Sequence, residues 1–232
     1  MPQHPLTIEY NEGKVLLVNK PSGWTSFDVV QKIRNVSRAK KVGHAGTLDP
    51  LATGLLILCT GKFTKRIDEV QAQEKEYTGT ITVGATRPSF DMETEIDQTF
   101  AWEHITPQMV QEATQQFTGV IEQIPPSYSA IKINGQRAYE NARAGKEVEI
   151  KPRSVEVKEF EITGVELPNI HFRVVCSKGT YIRTLAYDFG RALNSGAYLA
   201  SLCRTRIGEY LLKDAVEVED LVNDIKEKRA VQ

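Results

Sequence analysis

Lys41-Val42-Gly43-His44-Ala45-Gly46-Thr47-Leu48-Asp49-Pro50-Leu51-Ala52-Thr53-Gly54-Leu55-Leu56-Ile57-Leu58-Cys59-Thr60-Gly61 divides into two halves of different character. The first is a glycine-rich loop carrying one histidine, one threonine and a single aspartate. The second is an apolar run, Leu55 to Leu58, that reads as a buried strand closed by Gly61. A carboxylate on a tight turn beside a core strand suits a catalytic acid, because the strand fixes where the loop sits. Turn chemistry alone offers a plainer account, in which Asp49-Pro50 is a turn whose carboxylate bonds nearby backbone N–H groups.

On the N-terminal side, Val15 to Asn19 reads as a short strand running into the turn Lys20-Pro21-Ser22-Gly23-Trp24. Thr25 or Ser26 then caps a helix to about Val36, with Phe27, Val30, Ile33 and Arg34 spaced for one face. On the C-terminal side come a short basic helix, Lys62 to Val70, and a strand, Lys75 to Gly84, alternating with β-branched residues. A helix starts at Thr106-Pro107 and ends near Gly119. The diproline segment from Gln123 leads into a strand, a turn and a helix ending near Gly145. Val155 to Val165 and His171 to Cys176 read as paired strands, and Ser177 to Leu185 turns into a helix through about Leu193. A strand region from Leu199 to Tyr210 and an amphipathic helix from Val216 to Lys228 complete the chain. Strands and helices mix without βαβ regularity, so the expected class is α+β with a largely antiparallel mixed sheet flanked by helices.

At 232 residues the chain suffices for one large domain or a domain with an insertion. Its 25% charged and 41% hydrophobic residues are ordinary for a globular protein. No apolar stretch approaches 18 residues and no basic-then-apolar leader opens the sequence, so neither a membrane span nor a secretion signal is expected. Cys59, Cys176 and Cys203 are odd in number and far apart, as expected of reduced core thiols in a cytoplasmic protein. His4, His104 and His171 show no metal-ligand spacing.

The formal net charge of −1 conceals an asymmetry. From Pro88 to Ile131 there is no Lys or Arg while seven acidic residues accumulate, so the rest of the chain carries +6. Positive clusters stand at Lys32 to Lys41, at Lys62 to Arg66, and between Ser129 and Arg153, where the net charge is +3. Basic clusters on either side of a glycine loop fit a phosphate footprint, and solvated helix faces would give similar runs.

Gly43 to Gly54 resembles the active-site motif of the TruB family of tRNA pseudouridine-55 synthases. Four further blocks follow in the family's order: Lys20-Pro21-Ser22-Gly23-Trp24-Thr25-Ser26, Lys75-Glu76-Tyr77, the Gln123 to Arg143 segment, and Gly179-Thr180-Tyr181-Ile182-Arg183. The resemblance implies the pseudouridine-synthase fold and isomerisation of one uridine in the T arm of tRNA. The reaction breaks an N-glycosidic bond, turns the uracil and rejoins it through carbon. It is redox-neutral, so no cofactor and no metal are expected. By the same resemblance Asp49 is the nucleophile, Arg183 its ion-pair partner, and Tyr77 the aromatic that stacks on the target base and accepts the proton that completes the rearrangement. His44 would hold the nucleotide out of the T-loop stack, Lys20 would support the loop or the phosphates, and Leu202 would wall the base. Asp91 falls where the family carries an aspartate on an RNA-facing loop.

The basic arm, about residues 124–153, would grip the RNA through Lys132, Arg137 and Arg143. Residues 1–212 are expected to form the catalytic domain and 213–232 a helical tail, with no C-terminal RNA-binding (PUA) domain. A monomer acting on tRNA without a protein partner or a membrane completes the expectation. Two other classes compete: a non-catalytic RNA-binding protein, whose binding would survive loss of Asp49, and an aspartate-nucleophile hydrolase, which would need a water-activating base beside Asp49 and usually a metal cluster.

Overall fold

The run Leu55 to Leu58 is apolar at every position, and such a strand must be covered on both faces. The computed structural model describes residues 4–129, 131–133, 135–144 and 149–231, with backbone alone at Lys132, Ile133, Arg137 and Arg143. The chain forms two units, one of Met1–Tyr77 with Leu202–Gln232 and one of Thr78–Ser201.

In chain order the elements are α1 (Pro5–Glu12), β1 (Val15–Lys20), α2 (Ser26–Ser37), β2 (Val42–His44), β3 (Thr53–Thr60), α3 (Ile67–Ala72) and β4 (Lys75–Val83). There follow β5 (Ala85–Thr86), β6 (Gln98–Thr99), α4 (Pro107–Ala113), β7 (Gly119–Gln123), β8 (Lys132–Ile133), β9 (Gln136–Arg137) and α5 (Ala138–Arg143). The last are β10 (Arg153–Glu166), β11 (Asn169–Cys176), α6 (Ile182–Ala192), β12 (Ala197–Ile207), β13 (Tyr210–Leu211), β14 (Val216–Glu217) and α7 (Val218–Ala230). Strands β4 and β12 belong in part to each unit.

In the first unit β3 takes its neighbours from far along the chain. β1 pairs with it antiparallel, setting Lys20 opposite Gly54, and β12 pairs with it parallel, setting Arg204 opposite Gly54. β2 lies antiparallel on the other half of β3, with His44 opposite Leu58. Leu56 and Leu58 pack on one face with Val18 and the helices α1, α2 and α7, which bring Leu6, Tyr10, Val29, Val30, Ile33, Val222 and Ile225. Leu55 and Ile57 pack on the other face with Ala45, Val70 and Ile207. Burying one such Leu or Ile is worth about 1.5–3 kcal/mol, so the covered strand is a strong anchor for whatever loop precedes it.

The helix expected after Trp24 is α2, capped by Thr25. The Thr25 hydroxyl accepts from Asp28 N and the Asp28 carboxylate accepts from Thr25 N, a reciprocal cap on two orphan donors. Its face differs from the expected one. Val29, Val30 and Ile33 are buried, whereas Arg34 is exposed and Phe27 is 63% exposed. The expected basic helix is a three-ten turn, Gly61–Arg66, followed by α3. Helix α1 had no counterpart in the sequence reading; it puts Leu6 and Tyr10 into the core beside α7.

In the second unit β4, β11, β10 and β7 follow one another across the sheet, with β10 antiparallel to both β11 and β7. Its core is aromatic: Phe160 meets Phe172 and Phe189 edge-on at 6.0 and 5.2 Å. Helix α6 supplies Leu185 and Phe189 to that core, both fully buried. The fold is α+β with a mostly antiparallel mixed sheet flanked by helices, as the sequence implied.

Candidate active site

Gly46 to Ala52 carries Asp49 across a tight turn, closed by a hydrogen bond from Ala52 N to Asp49 O of 3.1 Å. Three elements hold this loop. From α2, the Ser26 hydroxyl accepts from Leu48 N at 2.9 Å and donates to Leu48 O at 3.2 Å. From the end of β1, the Lys20 ammonium donates to Pro50 O at 3.1 Å and to Pro21 O and Trp24 O at 2.9 and 2.6 Å. Gly23 N adds a second donor to Pro50 O at 2.9 Å. From β12, the Arg204 guanidinium donates to Leu55 O at 2.8 Å, Gly46 O at 3.0 Å and Thr47 O at 3.5 Å.

The block Lys20 to Ser26 therefore has a mechanical meaning: its turn and its helix cap together pin the residues on both sides of Asp49. Lys20 is 0% exposed, and its ammonium is spent on the carbonyls of Pro21, Trp24 and Pro50.

Two glycines make the arrangement possible. Gly46 has φ +91 and Gly54 φ +100, in the left-handed region that disfavours side chains. A Cβ on Gly54 would stand 2.4 Å from Arg204 O, so β3 and β12 approach there as only glycine allows.

The electrostatics are unusual for a loop. Burial pushes the Lys20 ammonium down to about 8, with Arg204 adding to the fall and the carboxylates of Asp49 and Asp28 opposing it. His44, at the end of β2, is half-buried. Burial, and then the Arg204 charge, hold its imidazole below the ordinary histidine range, so it is neutral at pH 7. Asp49 itself is partly exposed, and its charge is felt by the buried Lys20 ammonium. Tyr77 is almost buried on β4, and Leu202 is partly exposed on β12, where its carbonyl accepts from the Thr53 hydroxyl at 3.3 Å.

The second unit holds Arg183, in the first turn of α6. It is 3% exposed, not the surface helix charge that its position alone suggests. Its guanidinium donates to Tyr128 O at 3.0 Å and Ser89 O at 3.2 Å, and lies 3.6 Å from the Asp91 carboxylate. Gln123 ties the same helix start down, donating to Tyr181 O at 3.2 Å and accepting from Tyr181 N at 3.0 Å. Thr184 donates to Ile124 O at 3.1 Å. The segment around the diproline is thus the floor beneath the arginine. Asp91, at the position where the family carries an aspartate on an RNA-facing loop, is 6% exposed, engaged with Arg183 and accepting from Glu93 N.

Lys132, Arg137 and Arg143 have backbones in β8, β9 and α5, but their side chains lie outside the described residues, as does Lys146. Arg204 is the participant that reading the sequence did not assign. A basic residue inside the alternating β12 pattern was the available signal for Arg204, since a charge on a core-facing strand position needs buried partners. Among the described residues no three His, Cys, Asp or Glu side chains gather as a metal site, and no helix is long and apolar enough to cross a membrane.

Residues 34–182 match the family described as TruB family pseudouridylate synthase (N terminal domain). A tRNA pseudouridine synthase B of Flavobacterium johnsoniae is 58% identical over 217 residues, covering 90% of this chain and 95% of that one. A protein of the same name from Chlorobaculum tepidum is 46% identical over 234 residues, covering 99% and 98%. Among solved structures, a Cbf5-Nop10-Gar1 complex superposes with a TM-score of 0.73 at 26% identity over 97% of this chain. An archaeal box H/ACA Nop10-Cbf5 complex gives 0.69 at 25% identity over 96% of this chain. This chain spans only 61% and 57% of the length of those matched chains. The fold and the anchored aspartate loop define a pseudouridine synthase, an isomerase of uridine in RNA. Within that class the chain belongs to the TruB family.

Proposed function

We propose that the protein converts uridine 55 in the T arm of tRNA to pseudouridine, with Asp49 as the nucleophile. The observation that carries this reading is the loop itself: a partly exposed carboxylate fixed by Ser26, Lys20 and Arg204. The name tRNA pseudouridine synthase B, borne by relatives up to 58% identical, supports tRNA as the substrate.

An aspartate of ordinary pKa, about 3.9, is ionised at neutral pH, and nearby cations favour that form. The carboxylate attacks the uracil ring or the ribose, the glycosidic bond breaks, and the freed uracil turns before rejoining through carbon. Reaching the base requires taking it out of the T-loop stack. Extrusion costs a few kcal/mol, and stacking on Tyr77 returns roughly 1–3 kcal/mol. In this reading the neutral His44 holds the vacated position and Leu202 walls the base. Lys132, Arg137 and Arg143 grip phosphates of a stem recognised by shape.

The test is Asp49→Asn on an unmodified tRNA transcript, with pseudouridine mapped by carbodiimide-dependent reverse-transcription stops. The substitution is near-isosteric, so tRNA affinity stays within a few-fold. The chemical step should fall by at least about a thousandfold, the scale on which loss of a covalent nucleophile is felt. Turnover above one-hundredth of wild type, or a stop at a uridine other than position 55, would sink the corresponding part of the reading.

A further inference from the structure

Arg204 is 1% exposed and forms no ion pair among the described residues; its guanidinium is met by three neutral carbonyls, those of Gly46, Thr47 and Leu55. A buried charge satisfied in this way is costly to desolvate, and an apolar side chain of similar volume would stabilise the fold as well or better. Stability alone therefore does not account for an arginine here. What a guanidinium does provide is a rigid fork of five donors, able to meet carbonyls that diverge, which a lysine ammonium cannot match in one geometry.

We propose that Arg204 is a positioning residue for the reaction: it turns the carbonyls before Asp49 inward and so fixes one orientation of the loop that carries the carboxylate. This deepens the reading that Asp49 reacts, and rests on it.

Three features converge on this role. Arg204 stands opposite Gly54 across the β3–β12 pair, where the close approach of the strands directs its side chain beneath the loop. Its contacts fall at Gly46 and Thr47, before Asp49, while Lys20 takes Pro50 O, after it. Its charge also reaches the neighbouring titratable groups. It depresses both Lys20 on β1 and His44 on β2, with Asp28 on α2 and Asp49 itself the acids that face the same cluster. The two cations grip the loop from either side of the reacting residue.

Arg204→Lys and Arg204→Gln separate geometry from charge. Each is assayed in single turnover at saturating tRNA transcript across pH 5 to 9, with folding followed by thermal melting and affinity by filter binding. Arg204→Lys keeps the charge and loses the fork: its rate should fall roughly 10- to 100-fold, as expected for a displaced reacting group, with tRNA affinity unchanged. Arg204→Gln should lose at least as much and also shift the pH profile of the rate, because its charge no longer holds the Lys20 and His44 values down. A purely structural role would lower the melting temperature and leave rate per folded molecule and pH profile at wild-type values, which would overturn the proposal. So would collapse of both variants, which would make Arg204 a residue of the fold and not of the loop. An active Asp49→Asn enzyme would remove the nucleophile reading instead, whatever the Arg204 variants do.

Discussion

The Asp49 loop and the Arg183 site solve opposite problems. In the first unit the anchored group is an acid near the surface, and buried cations donate to the backbone around it. In the second, the anchored group is itself a buried cation, held by the carbonyls of Ser89 and Tyr128 and by the Asp91 carboxylate. The first arrangement is distributed: Ser26, Lys20, Gly23 and Arg204 each take part of the load. The second is concentrated on one side chain, Arg183. A distributed support should fail by degrees, whereas a concentrated one should fail at the first cut.

The largest effect is expected at the concentrated site. Arg183→Met would leave Asp91 buried without its cation, and breaking a buried pair from one side costs about 3–5 kcal/mol. Urea titration should show that loss, and Arg183→Met with Asp91→Leu should recover part of it. A loss below about 1 kcal/mol would mean that the Ser89 and Tyr128 carbonyls, and not Asp91, carry the arginine.

Next in size is a pH effect from Lys20. Its folded value, about 8, lies below the ordinary 10.5, so the folded state binds this proton less readily than the unfolded chain does. The burial penalty is therefore fully present below pH 8 and is relieved as pH rises from 8 to 10.5, where the unfolded chain holds more protons. Wild type minus Lys20→Met, compared by chemical denaturation, should grow in favour of wild type by about 3 kcal/mol over that window. The comparison cancels Tyr10, whose hydroxyl burial pushes up to about 12 and which is present in both proteins. A flat difference would show that the ammonium is not desolvated as its surroundings imply.

The smallest effect belongs to one strand of the distributed support. Ser26→Ala removes both hydrogen bonds to Leu48 and should cost about 1–2 kcal/mol, with activity reduced only a few-fold. A loss as large as that of Arg183→Met would erase the contrast between the two sites.

Much of this was legible in the sequence, for reasons that differ by residue. β3 was readable because a strand buried on both faces must be apolar throughout. The start of α2 was readable because Thr25 and Ser26 both offer a capping hydroxyl just before the apolar periodic residues. The face of α2 was misjudged because Phe27 has the right spacing and the wrong side: in the first turn, capping sets the entry angle and leaves that ring outside. Asp49 stood out by its motif, but its supports did not all do so. Lys20 and Ser26 lie 30 and 22 residues from their loop partners, inside a recognisable block. Arg204 lies 158 residues from Gly46, and nothing local to β12 announces which carbonyls it will meet. Helix α1 gave no signal because its buried face amounts to Leu6, Thr7 and Tyr10, too few positions to establish a period.

The nesting of one unit within the chain of the other bears on how the protein is made. The core on one face of β3 draws on Val29 and Ile33 near its beginning and on Val218, Leu221, Val222 and Ile225 near its end. At about 5–20 residues per second, a ribosome needs roughly 10–40 s to travel from α2 to α7. During that interval α2 and β3 have been synthesised without the helix that covers them, while all of Thr78–Ser201 emerges and can fold first. The nascent chain thus keeps an apolar surface waiting for its lid until α7 is made. It also means that the aspartate loop receives its last fastening, Arg204, only after the inserted unit has been made.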